Sequence, residues 1–489
     1  QRQMCIRDRV AIARILKDRP AVLLKAGTLL LVALLLLEHL SIPLPLSDMR
    51  IPDVYAIVAR KVPGDYTLLD LPVAWRNGSR VLGTQHPLIM FEQFYQSAHG
   101  QRILAGNTSR NPPLKFQYFV EAPLISSLIA LETGHELDQE KIDRDRGLAP
   151  TVLQFLDIQA IVVHPEQTGP GLTSYIEAVL PVQRIHEEQG AIAYAVESFP
   201  QPVSWIIVPG DDLAQLSFAE GWGVPAHDAI WAQRRAARML VPLGSQAQVM
   251  AFRAYAPQGG LRVTVEVNGQ PVESIELTSG WMDYELLVPA QDSQQSLSEI
   301  WLRFEETVPA GQVQMSPRTI GQTGVDSPVN LVVRSAGLEV GDFGYIYVDG
   351  ENVSLNQRGY NVAVVDPQDG TVEAAAAFDT HLDEDASRAF ADFLSSVPSG
   401  YIVAVAAADE ASRTLNRDAV SALQLIGATG DLRGRTRWGH AVIGVKGAPS
   451  GAALEALDWM QPATVAAGEG ATEPTLAVAF SEIRFGPAE

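Results

Sequence analysis

The pattern of apolar and polar positions divides the chain into four stretches of different character. Residues 20–37 (PAVLLKAGTLLLVALLLL) are apolar apart from Lys25, Gly27 and Thr28. Extended to residue 40, this run has about the 20 residues that a helix needs to cross a bilayer. The pattern predicts a transmembrane helix over residues 20–40. The alternatives are a buried core helix and a cleaved signal peptide, although no small-x-small cleavage site follows.

Between residues 41 and 225, short apolar runs alternate with segments of helical periodicity. We predict strands and helices in turn, among them a strand over residues 66–73, a helix over 174–188 and a strand over 191–196. Helices that alternate with buried strands are typical of an α/β layer. The stretch 41–225 is therefore predicted to be an α/β domain.

The remaining two stretches differ in their periodicity. In residues 226–321 apolar and polar positions alternate, as in LRVTVEVN (261–268), after which Asn-Gly signals a hairpin. Several such strands predict an antiparallel β-sandwich. Residues 325–489 add helices over 384–397 and 417–426 and predict an α+β domain, whose sheet we expect the segment 475–485 to close. The chain is thus predicted to be multi-domain.

Composition narrows the function. The chain has 36 basic and 57 acidic side chains and a net charge of −21, which repels phosphate backbones, so we expect no nucleic-acid partner. Cys5 is the single cysteine, which excludes an intramolecular disulfide and a zinc site built on several cysteines. Nucleotide-binding, zinc-protease and serine-hydrolase motifs are absent from the sequence. We expect no catalytic residue, no cofactor and no metal ligand set.

Charges around the apolar run predict its orientation. Six basic residues precede it against two acidic ones, so the positive-inside rule places residues 1–19 in the cytoplasm. Everything after residue 40 is then extracytoplasmic, held at the cell membrane by a single span. Residues 1–9 (QRQMCIRDR) resemble translated sequencing-adapter sequence found in assembled metagenomic reading frames, and we expect them to be non-native. Arg14, Lys17 and Arg19 then define the orientation.

Several features invite a functional reading but are more typical of structure. The loop 99–110 is polar and rich in turn residues, and His164 stands alone after a strand, without a partner that the sequence identifies. Asp379 and His381 form a polar pair without an evident nucleophile. Four tryptophans of the sandwich region are candidate sugar-stacking platforms but are expected mostly in the core: Trp222, Trp231, Trp281 and Trp301.

The C-terminal stretch resembles a known family. The matching residues are SAGLEVGDFGYIYVDG (335–350), RGYNVAVVDPQDG (358–370), FDTH (378–381), AADEAS (407–412) and GRTRWGHAVIGVKGAP (434–449). They are similar to the interleukin-like EMT inducer (PANDER-like) domain. The resemblance implies a secreted or cell-surface module. One related domain forms the non-catalytic, carbohydrate-binding stem of a glycosyltransferase. The secreted animal members carry disulfides, which this stretch lacks.

The resemblance and the residue types together suggest a binding site. Asp409 and Arg437 align approximately with the sugar-contacting positions of that stem domain, and Arg435 and Trp438 lie beside Arg437 in sequence. Carboxylate, guanidinium and indole groups hold sugars through hydrogen bonds and ring stacking. The alternative is a structural salt bridge between Asp409 and an arginine, with Trp438 in the core.

A second resemblance covers residues 20–225. The motifs GDYTLLDLP (64–72), FEQFYQSAHGQRILAG (91–106), Ser109-Arg110 and LDIQAIVVH (156–164) are similar to the extracytoplasmic end of bacterial GT-C type membrane glycosyltransferases or related polytopic proteins. The catalytic loop of such enzymes lies among helices that this sequence does not contain. The resemblance therefore implies no active-site residue here.

Three hypotheses follow. The first is a membrane-anchored extracytoplasmic protein that binds a glycan or glycoconjugate without catalysis and contacts the lipid bilayer through residues 20–40. The second is the accessory C-terminal portion of a multi-pass, lipid-linked-sugar glycosyltransferase. The third is a structural or protein-binding ectodomain, which predicts an exposed apolar patch.

Overall fold

The computed structural model describes residues 20–39 and 49–487, except 74, 79, 85–86, 105, 189, 201 and 291–296. The chain forms two compact units, residues 1–50 and residues 51–489. The predicted cytoplasmic segment 1–19, including the adapter-like residues 1–9, lies outside the described residues.

The first unit contributes one described helix, α1 (Ala21–His39). Its most apolar 18-residue window has a mean hydropathy of 2.2, and none of that window is buried. An apolar surface of this length is stable in a bilayer rather than in water. An N-terminal apolar helix long enough to span a membrane is thus present, while its orientation stays a prediction.

The second unit holds the other helices and all the strands that the structure describes. The helices are α2 (Asp53–Lys61), α3 (Leu88–His99), α4 (Pro113–Glu121), α5 (Ile125–Glu132), α6 (Gln139–Phe155), α7 (Pro165–Val179), α8 (Ala214–Ser217), α9 (Glu384–Ser396) and α10 (Arg417–Gln424). Helices α4 and α5 meet at 90° and are apolar enough for a broken span only when taken together. Their buried side chains pack in the main core of this unit.

A mixed sheet carries the first part of this unit. Its strands are β1 (Thr67–Leu71), β4 (Arg102–Ile103), β6 (Ile158–Val163), β7 (Val182–Glu188) and β8 (Ala191–Val196), in the order β4-β1-β6-β8-β7. Strand β1 is parallel to β4 and β6, and β8 is antiparallel to β6 and β7. Beside it lies a small sheet of β2 (Trp75–Asn77), β3 (Arg80–Leu82) and β5 (Asn107–Thr108).

The helix expected over residues 174–188 is wrong in its second half. Helix α7 ends at Val179, and residues 182–188 are strand β7, which pairs with β8. Pro181 lies between the two. Proline has no amide hydrogen for a helical hydrogen bond, so the helix cannot continue through it.

Two antiparallel sheets follow, and they share the main core with the mixed sheet. One has the order β10-β28-β12-β15, with β9 also paired to β28; the other has the order β11-β16-β13-β14. These strands are β9 (Trp205–Ile207), β10 (Ile230–Ala232), β11 (Ala236–Val241), β12 (Gln248–Ala256), β13 (Leu261–Val267), β14 (Gln270–Leu277), β15 (Gly280–Val288), β16 (Ser298–Phe304) and β28 (Val478–Pro487). Asn268 and Gly269, both at positive φ, form the expected hairpin turn.

The last strand does not lie where the sequence suggests. The sequence pattern predicts that residues 475–485 close the sheet of the α+β domain, but β28 pairs with β9, β10 and β12 of the sandwich. Its apolar side chains Phe480, Ile483 and Phe485 fill the core there. The C-terminal end of the chain therefore returns to a sheet that is otherwise formed some 200 residues earlier.

The remaining large sheet has nine strands. They are β18 (Leu331–Gly337), β19 (Phe343–Val348), β20 (Glu351–Asn352), β21 (Gly359–Val365), β22 (Val372–Phe378), β23 (Ile402–Asp409), β24 (Gly439–Val445), β25 (Leu454–Asp458) and β26 (Ala463–Ala467). Two short strands, β17 (Val308–Pro309) and β27 (Thr475–Leu476), pair separately. Helices α9 and α10 cover one face of the sheet through Phe390, Leu394 and Leu423, and a second apolar cluster fills the other face.

Candidate functional site

Most of the polar residues that the sequence suggests as candidate site residues in the C-terminal stretch lie at one edge of the nine-stranded sheet. Strands β18 and β23 are parallel where Gly337 lies opposite Asp409, and both end there. Strand β21 begins at Gly359, opposite Ala408, and the loop that carries residues 435–438 leads into β24 at the same edge. The carboxyl ends of parallel strands commonly form ligand sites. We call this region the edge site.

Two carboxylates of the edge site have no partner among the described residues. Asp409 and Asp342 are neither hydrogen-bonded nor ion-paired through their side chains to that part of the chain, and both have positive φ. Burial raises the pKa of Asp409, while the charges of Arg358, His381 and Arg437 act in the opposite direction. Burial and the charge of Asp409 raise the pKa of Asp342. Both carboxylates can therefore accept hydrogen bonds from a ligand.

Arg437 faces a different carboxylate from the one that the sequence suggests. Its Nη1 donates to Glu339 Oε1 at 2.6 Å, and no salt bridge joins it to Asp409. Glu339 is also 3.0 Å from His135 Nε2. The hydrogen bond with His135, more than that with Arg437, holds the pKa of Glu339 below its usual range against the effect of burial.

Arg435 and Trp438 form an aromatic–cation pair. The guanidinium carbon of Arg435 lies 4.7 Å from the ring centroid of Trp438. Arg435 is exposed, whereas Trp438 is half-buried and packs against the core under α9 and α10. Stacking of this kind holds a guanidinium in place while its donors stay available.

Glu410 is the residue that sequence reasoning missed. It is buried, and its two oxygens accept from the backbone N–H groups of Ser412 at 2.6 Å and Arg437 at 2.8 Å. It thereby ties the two loops of the edge site together. Asp409-Glu410 at a strand end offered a signal, because successive strand residues point to opposite sides, but the sequence does not say which carboxylate faces inward.

A polar cavity of about 620 Å³ opens beside Arg437. Its lining combines Glu339, Asp342 and Arg437 with Arg80 and Glu132 from the first part of the unit. From the sequence, these two groups of residues are predicted to belong to separate domains. A ligand at the edge site would therefore be in reach of both.

The pair Asp379 and His381 is already engaged with arginines. Arg358 donates to both carboxylate oxygens of Asp379 at 2.8–3.2 Å, and this pairing lowers the pKa of Asp379. His381 Nε2 accepts from Arg413 at 3.3 Å. The geometry fits a structural role for this pair.

The sandwich tryptophans are likewise occupied. Trp231 is buried and donates to Glu469, and Trp222 donates to the carbonyl of Arg238. Arginines lie over the other two rings: Arg253 over Trp281, and Arg238 and Arg303 over Trp301. A sugar would have to compete with those arginines for the ring faces that they cover.

Behind the edge site, His440 joins a buried network in which each group has a suitable partner. Glu455 Oε1 is 2.8 Å from His440 Nε2, and Tyr360 Oη is 3.0 Å from His440 Nδ1. Glu455 also accepts from the backbone and hydroxyl of Thr429 and from the backbone of Gly430. Burial would raise the pKa of Glu455, but the hydrogen bonds from His440 and Thr429 outweigh it and lower the pKa to about 2.

Residues 358–448 match the family described as "Interleukin-like EMT inducer". The chain carries an interleukin-like EMT inducer domain. The match lies inside the predicted stretch 325–489 and includes Asp409, Arg435, Arg437 and Trp438. It does not reach residues 20–225, whose resemblance to GT-C transferases is unsupported and stays an expectation.

Two curated relatives are similar to part of the chain. Both are named "Cell migration-inducing and hyaluronan-binding protein". The one from Homo sapiens is 34% identical over 106 residues, which are 22% of this chain and 8% of the relative. The one from Mus musculus is 31% identical over 131 residues, which are 27% of this chain and 9% of the relative. The chain thus matches less than a tenth of the length of either.

Solved structures of carbohydrate-binding modules show only a distant likeness. A family 35 module from an environmental isolate is 14% identical, with coverage of 21% of this chain and 82% of the module and a TM-score of 0.17. A CBM36 module in complex with calcium and xylotriose is 13% identical, with coverage of 21% and 87% and a TM-score of 0.16. Likenesses at these TM-scores carry no functional argument.

Proposed function

We propose that this protein binds a glycan or glycoconjugate without catalysis, through the edge site of its interleukin-like EMT inducer domain. The observation that carries the proposal is a pair of carboxylates, the half-buried Asp409 and the exposed Asp342, which have no side-chain partners in the described part of the chain. They lie at the same sheet edge as the Arg435–Trp438 stack and Arg437. The names of the two relatives, which include hyaluronan binding, support the same class of ligand.

The chemistry of the edge site suits a sugar. Carboxylates accept hydrogen bonds from hydroxyl groups, guanidinium groups donate to ring and hydroxyl oxygens, and an indole offers an apolar face. Near the edge and its cavity, five guanidinium groups, from Arg80, Arg358, Arg413, Arg435 and Arg437, stand against six carboxylates, from Glu132, Glu339, Asp342, Asp379, Asp409 and Glu410. This region has no excess of positive charge to attract an acidic sugar, so hydrogen bonding and ring stacking with a neutral sugar are the favoured interactions.

The test is glycan binding by the full chain in detergent, with neutral oligosaccharides and hyaluronan oligosaccharides as separate arms. We expect Arg437→Ala to weaken binding by at least about tenfold, because a charge-assisted hydrogen bond is lost. Arg433→Ala is the matched control, since Arg433 lies in the same loop and is paired with Asp431. Absence of binding by the folded chain, or equal affinities of the two variants, would contradict the proposal.

We also propose the arrangement at the membrane. Helix α1 spans the bilayer with residues 1–19 in the cytoplasm, and modules over 41–225, 226–321 and 325–489 lie outside. Its hydropathy and the basic residues before it support this topology. In a Cys5→Ala background, a membrane-impermeant thiol reagent should label Ser421→Cys, at an exposed position of α10, in intact cells and should reach Ala13→Cys only after lysis. The reverse pattern would refute this orientation.

A further inference from the structure

A second cluster of polar side chains is buried in the first part of the large unit. Asp70, Glu92 and His164 are only 2%, 1% and 5% exposed. Each offers one ligand atom, and these atoms all lie within 4.8 Å of one another. Buried carboxylates are costly unless a positive charge or hydrogen-bond donors compensate them.

The fold brings these three residues together from distant positions in the sequence. Asp70 is the fourth residue of β1, and His164 follows the last residue of the parallel neighbour β6. The His164 backbone N–H donates to the carbonyl of Leu71 at 2.9 Å, which fixes the two strand ends side by side. Helix α3 supplies Glu92. The cluster thus lies at the carboxyl edge of parallel strands.

The contacts of His164 define which ring nitrogen is free. Nδ1 lies 3.2 Å from the carbonyl oxygen of Gly190, which can only accept, so Nδ1 carries the hydrogen. The lone pair of the neutral ring is then on Nε2, which faces into the cluster. Metal-binding histidines usually donate their second nitrogen to a carbonyl or carboxylate in this way.

The groups around that lone pair supply fewer hydrogens than there are acceptors. Tyr55 Oη has one hydrogen and lies 2.8 Å from Asp70 Oδ2 and 3.0 Å from His164 Nε2, so it can donate to only one of these two acceptors. Asp70 Oδ1, 3.4 Å from the same nitrogen, has no hydrogen-bond partner in the described part of the chain. The two oxygens of Asp70 and the lone pair of His164 therefore share a single hydrogen, that of Tyr55.

Glu92 makes the mismatch larger. Neither of its carboxylate oxygens has a hydrogen-bond partner among the described residues. The ring of His99 stacks on Tyr55 but does not supply a positive charge. Its Nδ1 accepts from the Gln101 N–H at 3.1 Å, so the ring is neutral and carries its one hydrogen on Nε2. Two carboxylates and one imidazole thus converge on a point without a compensating cation from the described side chains.

We propose that Asp70, Glu92 and His164 bind one divalent transition-metal ion of the Zn²⁺ or Mn²⁺ class. Mixed oxygen and imidazole ligands suit these ions, and a charge of +2 neutralises the two carboxylates. Ca²⁺ fits less well, because it takes six to eight oxygen ligands. Tyr55 and Gly190 then hold Asp70 and His164 in their binding orientations through hydrogen bonds. The burial of all three ligands favours a structural ion.

The competing explanation is protonation. A proton on His164 Nε2 would pair it with Asp70, and a proton on Glu92 would remove its charge. This state needs no metal and predicts that the chain binds Zn²⁺ no more tightly than exposed carboxylates do.

The experiment measures Zn²⁺ and Mn²⁺ binding by the full chain in detergent, stripped with a chelator, by titration calorimetry and elemental analysis. We expect one equivalent per chain and a loss of at least about 100-fold in affinity in Glu92→Gln, which removes a direct ligand. Glu166→Gln is the matched control, because Glu166 is an exposed carboxylate two residues after His164. Co²⁺ serves as a spectroscopic probe, whose visible absorption should change in His164→Gln.

The outcomes separate the two explanations. One equivalent of metal that Glu92→Gln and His164→Gln weaken, and Glu166→Gln does not, supports the site. No stoichiometric binding by the folded chain, or equal affinities of all three variants, overturns it. If Glu92→Gln does not fold, the Co²⁺ spectra of the parent chain and His164→Gln decide, since imidazole ligation has a spectral signature of its own.

Discussion

Two buried clusters of this chain consist of nearly the same types of side chain and differ in whether each carboxylate finds hydrogen-bond donors. Tyr360, His440 and Glu455 lie in the nine-stranded sheet region, and Tyr55, His164 and Asp70 lie at the edge of the mixed sheet, together with Glu92. In the first cluster the carboxylate of Glu455 receives four hydrogen bonds. In the second, the carboxylate of Glu92 receives none from the described residues.

This difference distinguishes a cluster with a structural role from a cluster that can bind a ligand. In a matched network every donor meets an acceptor, so the network is stable without a ligand and rigidifies its surroundings. A cluster of acceptors alone is unstable until a proton or a metal ion joins it. Residue type alone would have assigned the two clusters the same role, so the direction of each hydrogen bond decides between them.

The largest expected effect is the loss of stability at low pH of the domain that contains the matched network. The folded pKa of Glu455 is about 2, against 4.5 for the unfolded group. A lowered folded pKa contributes stability above the unfolded pKa, which is lost as the pH falls from about 4.5 towards 2. The difference corresponds to about 3 kcal/mol.

Glu455→Gln should therefore destabilise the domain by about this amount at pH 7 and by progressively less below pH 4.5. Hydrogen exchange of the β24 amides, at several pH values, reports the stability of this sheet separately from the rest of the chain. A penalty that does not change between pH 7 and pH 3 would show that the carboxylate charge is not what stabilises the network.

The nine-stranded domain was the part most open to prediction from sequence. Asp383 and Asn416 each accept a hydrogen bond from the first turn of a helix, as N-cap residues do, and both helices begin where the pattern places them. The family resemblance is confirmed over residues 358–448. Local signals of this kind do not depend on distant parts of the chain.

Long-range pairing could not be predicted in the same way. Strand β28 alternates like any half-buried strand, and nothing local says that it joins the sandwich rather than the sheet of its own neighbours. The same limit applies to the sites. Arg80 lines the edge-site cavity from some 350 residues away in sequence, and Asp70 reaches His164 only because β1 and β6 are parallel.

A smaller effect gives a second test, in which Zn²⁺ reverses the effect of Glu92→Gln on the free energy of unfolding. In the metal-free chain, Glu92→Gln should raise the free energy of unfolding at pH 7 by about 1–2 kcal/mol, because it removes a buried, uncompensated carboxylate. Burial and the charge of Asp70 raise the pKa of Glu92, so at pH 7 this group opposes folding, unlike Glu455. With saturating Zn²⁺ the parent chain should become the more stable of the two, because the ion stabilises only a folded chain that binds it.

Hydrogen exchange of the β6 amides measures the stability difference between the parent chain and Glu92→Gln, both without and with Zn²⁺. Asp145 provides a matched control: its Oδ2 accepts from Tyr175 at 2.7 Å and its Oδ1 lies 3.1 Å from Lys141, so this buried carboxylate is compensated. Asp145→Asn should destabilise the fold whether or not Zn²⁺ is present. A Glu92→Gln variant that behaves like Asp145→Asn, destabilised to the same extent in both conditions, would mean that Glu92 belongs to a matched network after all.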